Sequence, residues 1–349
     1  MSEHGKNSQL YVGIALLILI ALAGVFTLPG LYYKFLADNI KLKEKAYLYV
    51  PSGAGYEQLK DSVEQLNMLK RPEYFYDLAK DRELSKKFKP GKYAIKPNMN
   101  NRAIINMLIV GNQEPVQVSF RNIRLKENFA ARVSKNLEFD SLALIKLLDS
   151  ADFIKSYGFT KENVYTMFLP NSYEFFWNTS AKDFFERMNK EYKTFWNEQR
   201  LQKAVALELS PQQVTILASI VDSEALVDAE MPTIAGLYLN RYRKGIKLEA
   251  DPTVIFANND FTIRRVLNRH LAKESPYNTY RVRGLPPGPI MMPSVNAIDA
   301  VLNPESHDYI YMCAKEDFSG YHNFASTLAE HQKNARKFQK ALDLRNIKK

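Results

Sequence analysis

Between Lys6 and Lys34 the chain carries no charged side chain, and the segment LYVGIALLILIALAGVF (10–26) is apolar almost throughout. A helix needs roughly 20 such residues to cross the hydrocarbon core of a bilayer, and 10–33 supplies them. These residues read as a transmembrane anchor behind a short N-terminal tail, 1–9. Pro29-Gly30 is expected to end or kink the helix, with Tyr32 and Tyr33 at the aromatic level of the far interface. A cleaved signal peptide is the competing reading, although no small-x-small cleavage site follows the apolar run. Lys6 stands on one flank and Lys34, Lys41, Lys43 and Lys45 on the other. A simple positive-inside count would put the large domain in the cytoplasm, but long domains translocate regardless of such charge, so the side stays open.

Beyond the anchor the pattern alternates between the strand and helix periods. YLYV (47–50) predicts a strand that stops at Pro51-Ser52-Gly53. The next segment places Leu59, Val63, Leu66 and Leu69 on one helical face. PEYFYDLAKDREL (72–84) predicts a second helix, and GKYAI (91–95) a short strand. RAIINMLIVG follows as a helix capped by Asn100 or Asn101 and stopped at Gly111. VQVSF (116–120) is expected to close the unit as a strand. Residues 45–120 are thus a small α+β module. Residues 121–205 read as a mainly helical, aromatic-rich connecting region whose Phe and Trp stripes are core. Residues 206–349 form a mixed α+β domain ending in a basic helix, so the fold class is α+β.

Composition narrows the function classes. With 46% hydrophobic and 25% charged residues the chain folds rather than staying disordered. The single Cys313 excludes a disulfide framework and a multi-cysteine metal site, and its place in YIYMCA predicts a buried, inert thiol. The net charge of +10 suits an anionic partner or simply a lysine-rich surface. No nucleic-acid-binding module accompanies it. His4, His270, His307, His322 and His331 show no metal-ligand spacing, so neither a metal nor another cofactor is expected. No phosphate-cradling glycine loop or G-x-S-x-G elbow is present.

The last block holds the candidate chemistry. Ser210, Pro211 and Gln213 form a strong helix start: N-cap, first-turn proline and capping box. Projected from there, Val214, Ile216, Leu217, Ala218, Ile220, Val221 and Ala225 share one arc, and Thr215, Ser219, Asp222 and Ser223 the opposite one. Glu224 falls within the apolar arc, about 160° from Asp222. The two acids therefore cannot act as a close pair. Asp222 reads as a solvated or capping carboxylate. Glu224 is the anomaly: against apolar packing its pKa should rise, as a general acid requires, unless an Arg or Lys pairs with it.

The next helix, 232–245, carries Thr233, Gly236 and Asn240 on one strip. An interior glycine costs roughly 1 kcal/mol relative to alanine, so either a neighbouring helix or a ligand approaches closely there. EADPTV (249–254), SPYNTY (275–280) and GLPPGPI (284–290) then read as proline-stiffened loops whose amides, hydroxyls and Tyr rings suit a polyol ligand.

The segments ASIVDSEA, LYLNRYRKGIKLEADPTVIFA, SPYNTYRVRGLPPGPIMMP and HNFASTLAEH stand in this order. Together they closely resemble the YceG-like family of endolytic murein transglycosylases. The resemblance is strongest over 210–335 and extends more weakly, through PGKYAI and FLPNSYEF, to the anchor. It implies a single-pass protein of the cell inner membrane with a LysM-like module and a catalytic domain on the periplasmic side. It also implies cleavage of peptidoglycan glycan strands, with peptidoglycan synthases as neighbours. The family's E-x-E appears here as Asp222-Ser223-Glu224, which assigns catalysis to Glu224. Asn240, Tyr277, Asn278 and Tyr280 become candidates for substrate binding, with Asp251 orienting its loop. His322 and Phe324 of HNF join them. One acid suffices for a lytic transglycosylase, which uses no external water. Two alternatives remain. A lysozyme-type hydrolase would take Asp251 or Glu249 as its second carboxylate. A non-catalytic glycan-binding scaffold would use neither.

Overall fold

The computed structural model describes residues 3–345, so Met1, Ser2 and the last four residues of the basic tail lie outside the described residues. Helix α1 (Glu3–Phe35) begins inside the expected tail and runs through Pro29 without ending there. Its side chains Leu16, Leu17, Leu19, Ile20 and Val25 are exposed. It is long and apolar enough to cross a membrane.

The described residues form two compact units. The first takes the chain up to Gln117 together with Asn136–Glu138 and Glu174–Thr179. It contains β1 (Ala46–Val50), α2 (Tyr56–Leu66), α3 (Pro72–Asp81), α4 (Leu84–Lys87), β2 (Gly91–Ile95) and α5 (Asn101–Val110). β1 and β2 are antiparallel, with Leu48 opposite Tyr93. Alternation puts Leu48, Val50, Tyr93 and Ile95 on the inner face. They meet Leu59 and Val63 of α2, Phe75 and Leu78 of α3, and Ile104, Ile105 and Leu108 of α5. The segment predicted as one helix over 72–84 is broken because Glu83 adopts a left-handed conformation (φ 53°), which starts α4 in a new direction.

The last turn of α1 is fastened to this unit. Lys34 Nζ lies 2.5 Å from Asp77 and 2.7 Å from Asp81, both on α3. Asn101 Nδ2 donates to the Tyr33 carbonyl at 3.2 Å. The Arg71 guanidinium sits 3.6 Å from the centre of the Tyr33 ring. Tyr33 is therefore absorbed into packing, whereas Tyr32 stays exposed.

The second unit comprises 118–135, 139–173 and 180–345 of the described chain. β3 (Val116–Phe120) forms as expected, but it pairs with β4 (Asn171–Phe175) and not with β1 or β2, so it does not close the first sheet. β4 lies within the region 121–205 that the sequence reads as mainly helical. Ser119 and Ser172 hydroxyls lie 2.6 Å apart, and Phe120 stacks on Tyr173 at 5.6 Å. Around them lie α6 (Lys126–Ser134), α7 (Ser141–Asp149), α8 (Ala151–Lys155), α9 (Ala181–Phe195) and α10 (Glu198–Ala206). The predicted aromatic stripe of α9 is core: Phe184 and Phe185 are fully buried.

Helix α11 (Pro211–Glu224) is the central element of this unit and starts as its sequence dictates. The Ser210 hydroxyl accepts from the Gln213 amide, and the Gln213 side chain accepts from the Ser210 amide at 2.9 Å. All of Val214–Val221 is buried, including Thr215 and Ser219 of the polar arc. That arc is a hydrogen-bonding seam. The Ser219 hydroxyl donates to the Ile216 carbonyl at 2.7 Å and accepts from the Ile290 amide at 3.1 Å. α12 (Met231–Arg243), α13 (Asp251–Asn258), α14 (Asn268–Leu271) and α15 (Val295–Leu302) follow. EADPTV is not a loop: with Pro252 in the first turn, Asp251 opens α13. The antiparallel pair β5 (Tyr311–Ala314) and β6 (His322–Ala325) is followed by α16 (Leu328–Leu344).

Candidate active site

Glu224 is the last residue of α11, where the backbone turns extended at Ala225. A carboxylate there faces the negative end of the helix dipole, so its placement is not for helix stability. It lines a cleft of about 350 Å³ together with Tyr238 and Arg241 of α12, Glu249, Asp251, Tyr280 and the inner edge of β5. The Tyr238 hydroxyl donates to Glu224 Oε1 at 2.9 Å. Burial pushes the Glu224 carboxyl up to about 7; the Tyr238 hydrogen bond opposes this, and the negative charge of Asp251 adds to it. No Arg or Lys pairs with Glu224 among the described residues, so the ion-paired alternative fails.

The rest of the cleft is held by bonds to backbone. Arg241, one turn beyond Tyr238, donates through Nε to the Lys247 carbonyl at 2.8 Å and through Nη1 to the Ile310 carbonyl at 2.7 Å. Its Nη2 pairs with Glu249. Arg241 thus ties α12 to the segment 247–249 and to the residue just before β5, and offsets one of the three acids of the cleft. The Tyr280 hydroxyl donates to Asp251 Oδ1 at 2.7 Å, and burial raises the pKa of Tyr280 so that it remains a donor. His322, at the start of β6, donates through its amide to Glu230 Oε1 (2.8 Å), and its Nδ1 lies 2.7 Å from Glu230 Oε2. Among the described residues no three His, Cys, Asp or Glu side chains are grouped so as to hold a metal ion.

The chain matches the YceG-like family over residues 48–337. It belongs to that family. An endolytic murein transglycosylase of Bacillus subtilis is 28% identical over 330 residues, covering 88% of this chain and 89% of that protein. One of Streptococcus pneumoniae is 22% identical, covering 92% of this chain but 63% of its own length. The crystal structure of a YceG-like protein from Listeria monocytogenes aligns with a TM-score of 0.55 at 25% identity, over 84% of this chain and 99% of that one.

Within this YceG-like chain the predicted site residues divide. Glu224, Asp251, Tyr280 and His322 come together in the cleft. Asn240, Tyr277, Asn278 and Phe324 lie outside its lining. The Asn240 amide donates to the His307 and Tyr309 carbonyls at 2.7 and 3.1 Å. Asn278 is fully buried and donates to the Leu271 and Lys273 carbonyls, while its Oδ1 accepts from the Tyr280 amide at 3.1 Å. It shapes the turn that aims Tyr280. Tyr277 packs on Phe256 at 4.8 Å, and Phe324 stacks on Tyr309 at 5.6 Å.

Asp222 is a cap, not a solvated acid. It accepts from the Ser294 amide at 3.0 Å and the Ser294 hydroxyl at 2.9 Å, and Ser294 is the N-cap of α15. The close approach at Gly236 is neither a helix nor a ligand. A Cβ there would meet the Glu305 carbonyl at 2.5 Å and His307 Nε2 at 2.8 Å. Cys313 is half-buried and lines the cleft instead of lying in the core, with burial raising its pKa. Sequence reasoning missed Tyr238, Arg241 and Glu230. A phenol and a guanidinium at i, i+3 on a buried helix face were the available signal for the first two.

Proposed function

We propose that the protein is an endolytic lytic transglycosylase that cleaves the β-1,4 bond between N-acetylmuramyl and N-acetylglucosaminyl units of peptidoglycan glycan strands. The observation that carries this reading is Glu224. It is an unpaired carboxyl at the floor of a polar cleft, held by one phenol and pushed up to about 7. The relatives named as endolytic murein transglycosylases support it.

Near neutrality a large share of Glu224 is protonated and can donate to the glycosidic oxygen as the C1–O bond breaks. The resulting carboxylate takes the proton of the muramyl 6-hydroxyl while that oxygen bonds to C1. A 1,6-anhydro ring forms, Glu224 regains its proton, and no water is consumed. Tyr238 steadies the carboxylate between the two transfers. Asp251, with Tyr280 on it, supplies negative charge suited to an oxocarbenium-like transition state. Because the nucleophile belongs to the substrate, holding the sugar so that its 6-oxygen faces C1 is a large part of the catalysis.

Helix α1 serves in this reading as a single-pass anchor in the lipid bilayer, with the second unit outside the cytoplasm on the periplasmic side. Its uncovered apolar surface supports the anchoring. The antiparallel β1 and β2, with α2, α3 and the short α4 between them, support a LysM-like role in glycan contact for the first unit. Cleavage of nascent strands calls for peptidoglycan synthases as partners.

A lysozyme-type hydrolysis is the second reading, favoured by the one observation that Asp251 is another carboxylate in the same cleft. Digestion of purified peptidoglycan by wild type and Glu224→Gln, with mass spectrometry of the new ends, separates the readings. Anhydro ends from wild type alone are expected. Reducing ends would establish hydrolysis, and binding without cleavage by either protein would leave a scaffold.

A further inference from the structure

Glu230 is an acid with no role in the scheme above, yet it is 5% exposed and ends the 3₁₀ turn Asp228–Glu230 that leads into α12. A buried carboxylate is costly unless its acceptors are filled. Both oxygens here serve one residue: Oε1 takes the His322 backbone amide and Oε2 faces His322 Nδ1 at 2.7 Å. Nδ1 must then carry the proton, since a carboxylate only accepts. The ring lines the cleft with Glu224, and among the described residues its Nε2 has no protein partner and is not sealed from solvent. The same helix that follows Glu230 carries Tyr238 to Glu224. One element therefore sets both groups.

We propose that Glu230 is a positioning residue. By fixing the Nδ1–H form and the orientation of His322, it presents a bare Nε2 lone pair to a hydroxyl of the sugar bound at Glu224. This rests on the transglycosylase reading for the identity of the sugar. Carboxylates that orient a working imidazole through its far nitrogen act in this way elsewhere.

Glu230→Gln provides the decisive test, because its side-chain amide offers one acceptor where two donors need one. The backbone amide cannot reverse. The ring must, so its Nδ1 becomes the acceptor and the proton moves to Nε2. Full-length Glu230→Gln in detergent, with 15N-labelled histidine, should show the Nδ1 and Nε2 shifts of one imidazole exchanged; loss of that signal in His322→Ala identifies it. Cleavage of glycan strands should fall roughly tenfold, the worth of one net hydrogen bond. In the His322→Ala background Glu230→Gln should cost nothing further. An unexchanged tautomer, undiminished cleavage or an additive loss would each overturn the proposal.

His322→Asn covers the case in which Glu230→Gln does not fold. The shorter amide can still donate to Glu230 but puts nothing at the place of Nε2. It should keep the wild-type melting temperature and lose cleavage roughly tenfold. Full activity in that variant would overturn the proposal equally. A wild type that cleaves no glycan while showing the Nδ1–H tautomer would instead sink the transglycosylase reading and leave the dyad geometry standing.

Discussion

The hydroxyl of Tyr238 and the carboxyl of Glu224 meet at 2.9 Å across the junction of α11 and α12. This bond lowers the pKa of Glu224 against the stronger effect of burial, and Asp251 works in the opposite sense to Tyr238. With Glu224 as the proposed acid, activity should decline on an alkaline limb centred near its pKa of about 7. Removing the phenol in Tyr238→Phe should move that limb to higher pH. Removing the charge in Asp251→Asn should move it to lower pH. Rate profiles of the three proteins on one peptidoglycan preparation check this. Limbs that move together, or not at all, would show that Glu224 does not govern the profile.

The same group links pH to stability. The folded pKa of Glu224 is raised from 4.5 to about 7, so the folded state holds the proton more tightly than the unfolded state. Stability is therefore undiminished below about pH 4.5, falls as pH rises through 7, and stays reduced above that. The cost at pH 8 is at most about 3 kcal/mol, since one edge of the side chain remains open to the cleft. Glu224→Gln has no charge to desolvate. It should melt higher than wild type at pH 8 and match it at pH 4, while losing about a hundredfold or more in cleavage. A melting difference that is the same at both pH values would argue against the raised pKa.

How much of this was legible depends on how local each signal is. The start of α11 was readable because its cap and first-turn proline bond within four residues. The face of Glu224 followed from helical period alone. The apolar length of α1 likewise needs no tertiary information. Tyr238 is different: it reaches Glu224 from 14 residues away, through a helix crossing that no period encodes. Glu230 looked like an ordinary acid before a helix, and its partner His322 is 92 residues distant. Asn240 was placed on the right strip for a close approach, but the approaching group is the backbone of 307–309, which carries no pattern. β3 was recognisable as a strand from its alternation, whereas its choice of β4 over β2 was not.

Asp222 should separate from Glu224 in its consequences. Asp222→Ala removes both acceptors of Ser294 and so loosens the start of α15 where it packs on α11. Loss of such a capping arrangement costs about 1–2 kcal/mol. Cleavage by the folded protein should stay near wild type, because Asp222 points away from the cleft. Chemical denaturation paired with turnover at a temperature well below melting tests both halves. A collapse of turnover in a fully folded Asp222→Ala protein would mean that the first acid of the motif takes part in the chemistry.

Gly236→Ala sets helix propensity against packing. In an exposed helix interior the change would gain roughly 1 kcal/mol. Here the new methyl would stand 2.5 Å from the Glu305 carbonyl and 2.8 Å from His307 Nε2. The carbonyl cannot retreat freely, since the Glu305 amide is bonded to the Pro232 carbonyl at 3.0 Å and the His307 ring to the Thr233 carbonyl at 2.9 Å. Overpacking of this kind typically costs about 1–3 kcal/mol, so the net change should be destabilising. The displaced 305–309 segment also feeds β5, which forms one wall of the cleft, so turnover should fall along with the melting temperature. A higher melting temperature for Gly236→Ala would show that the segment yields, and that the glycine is not there for close approach.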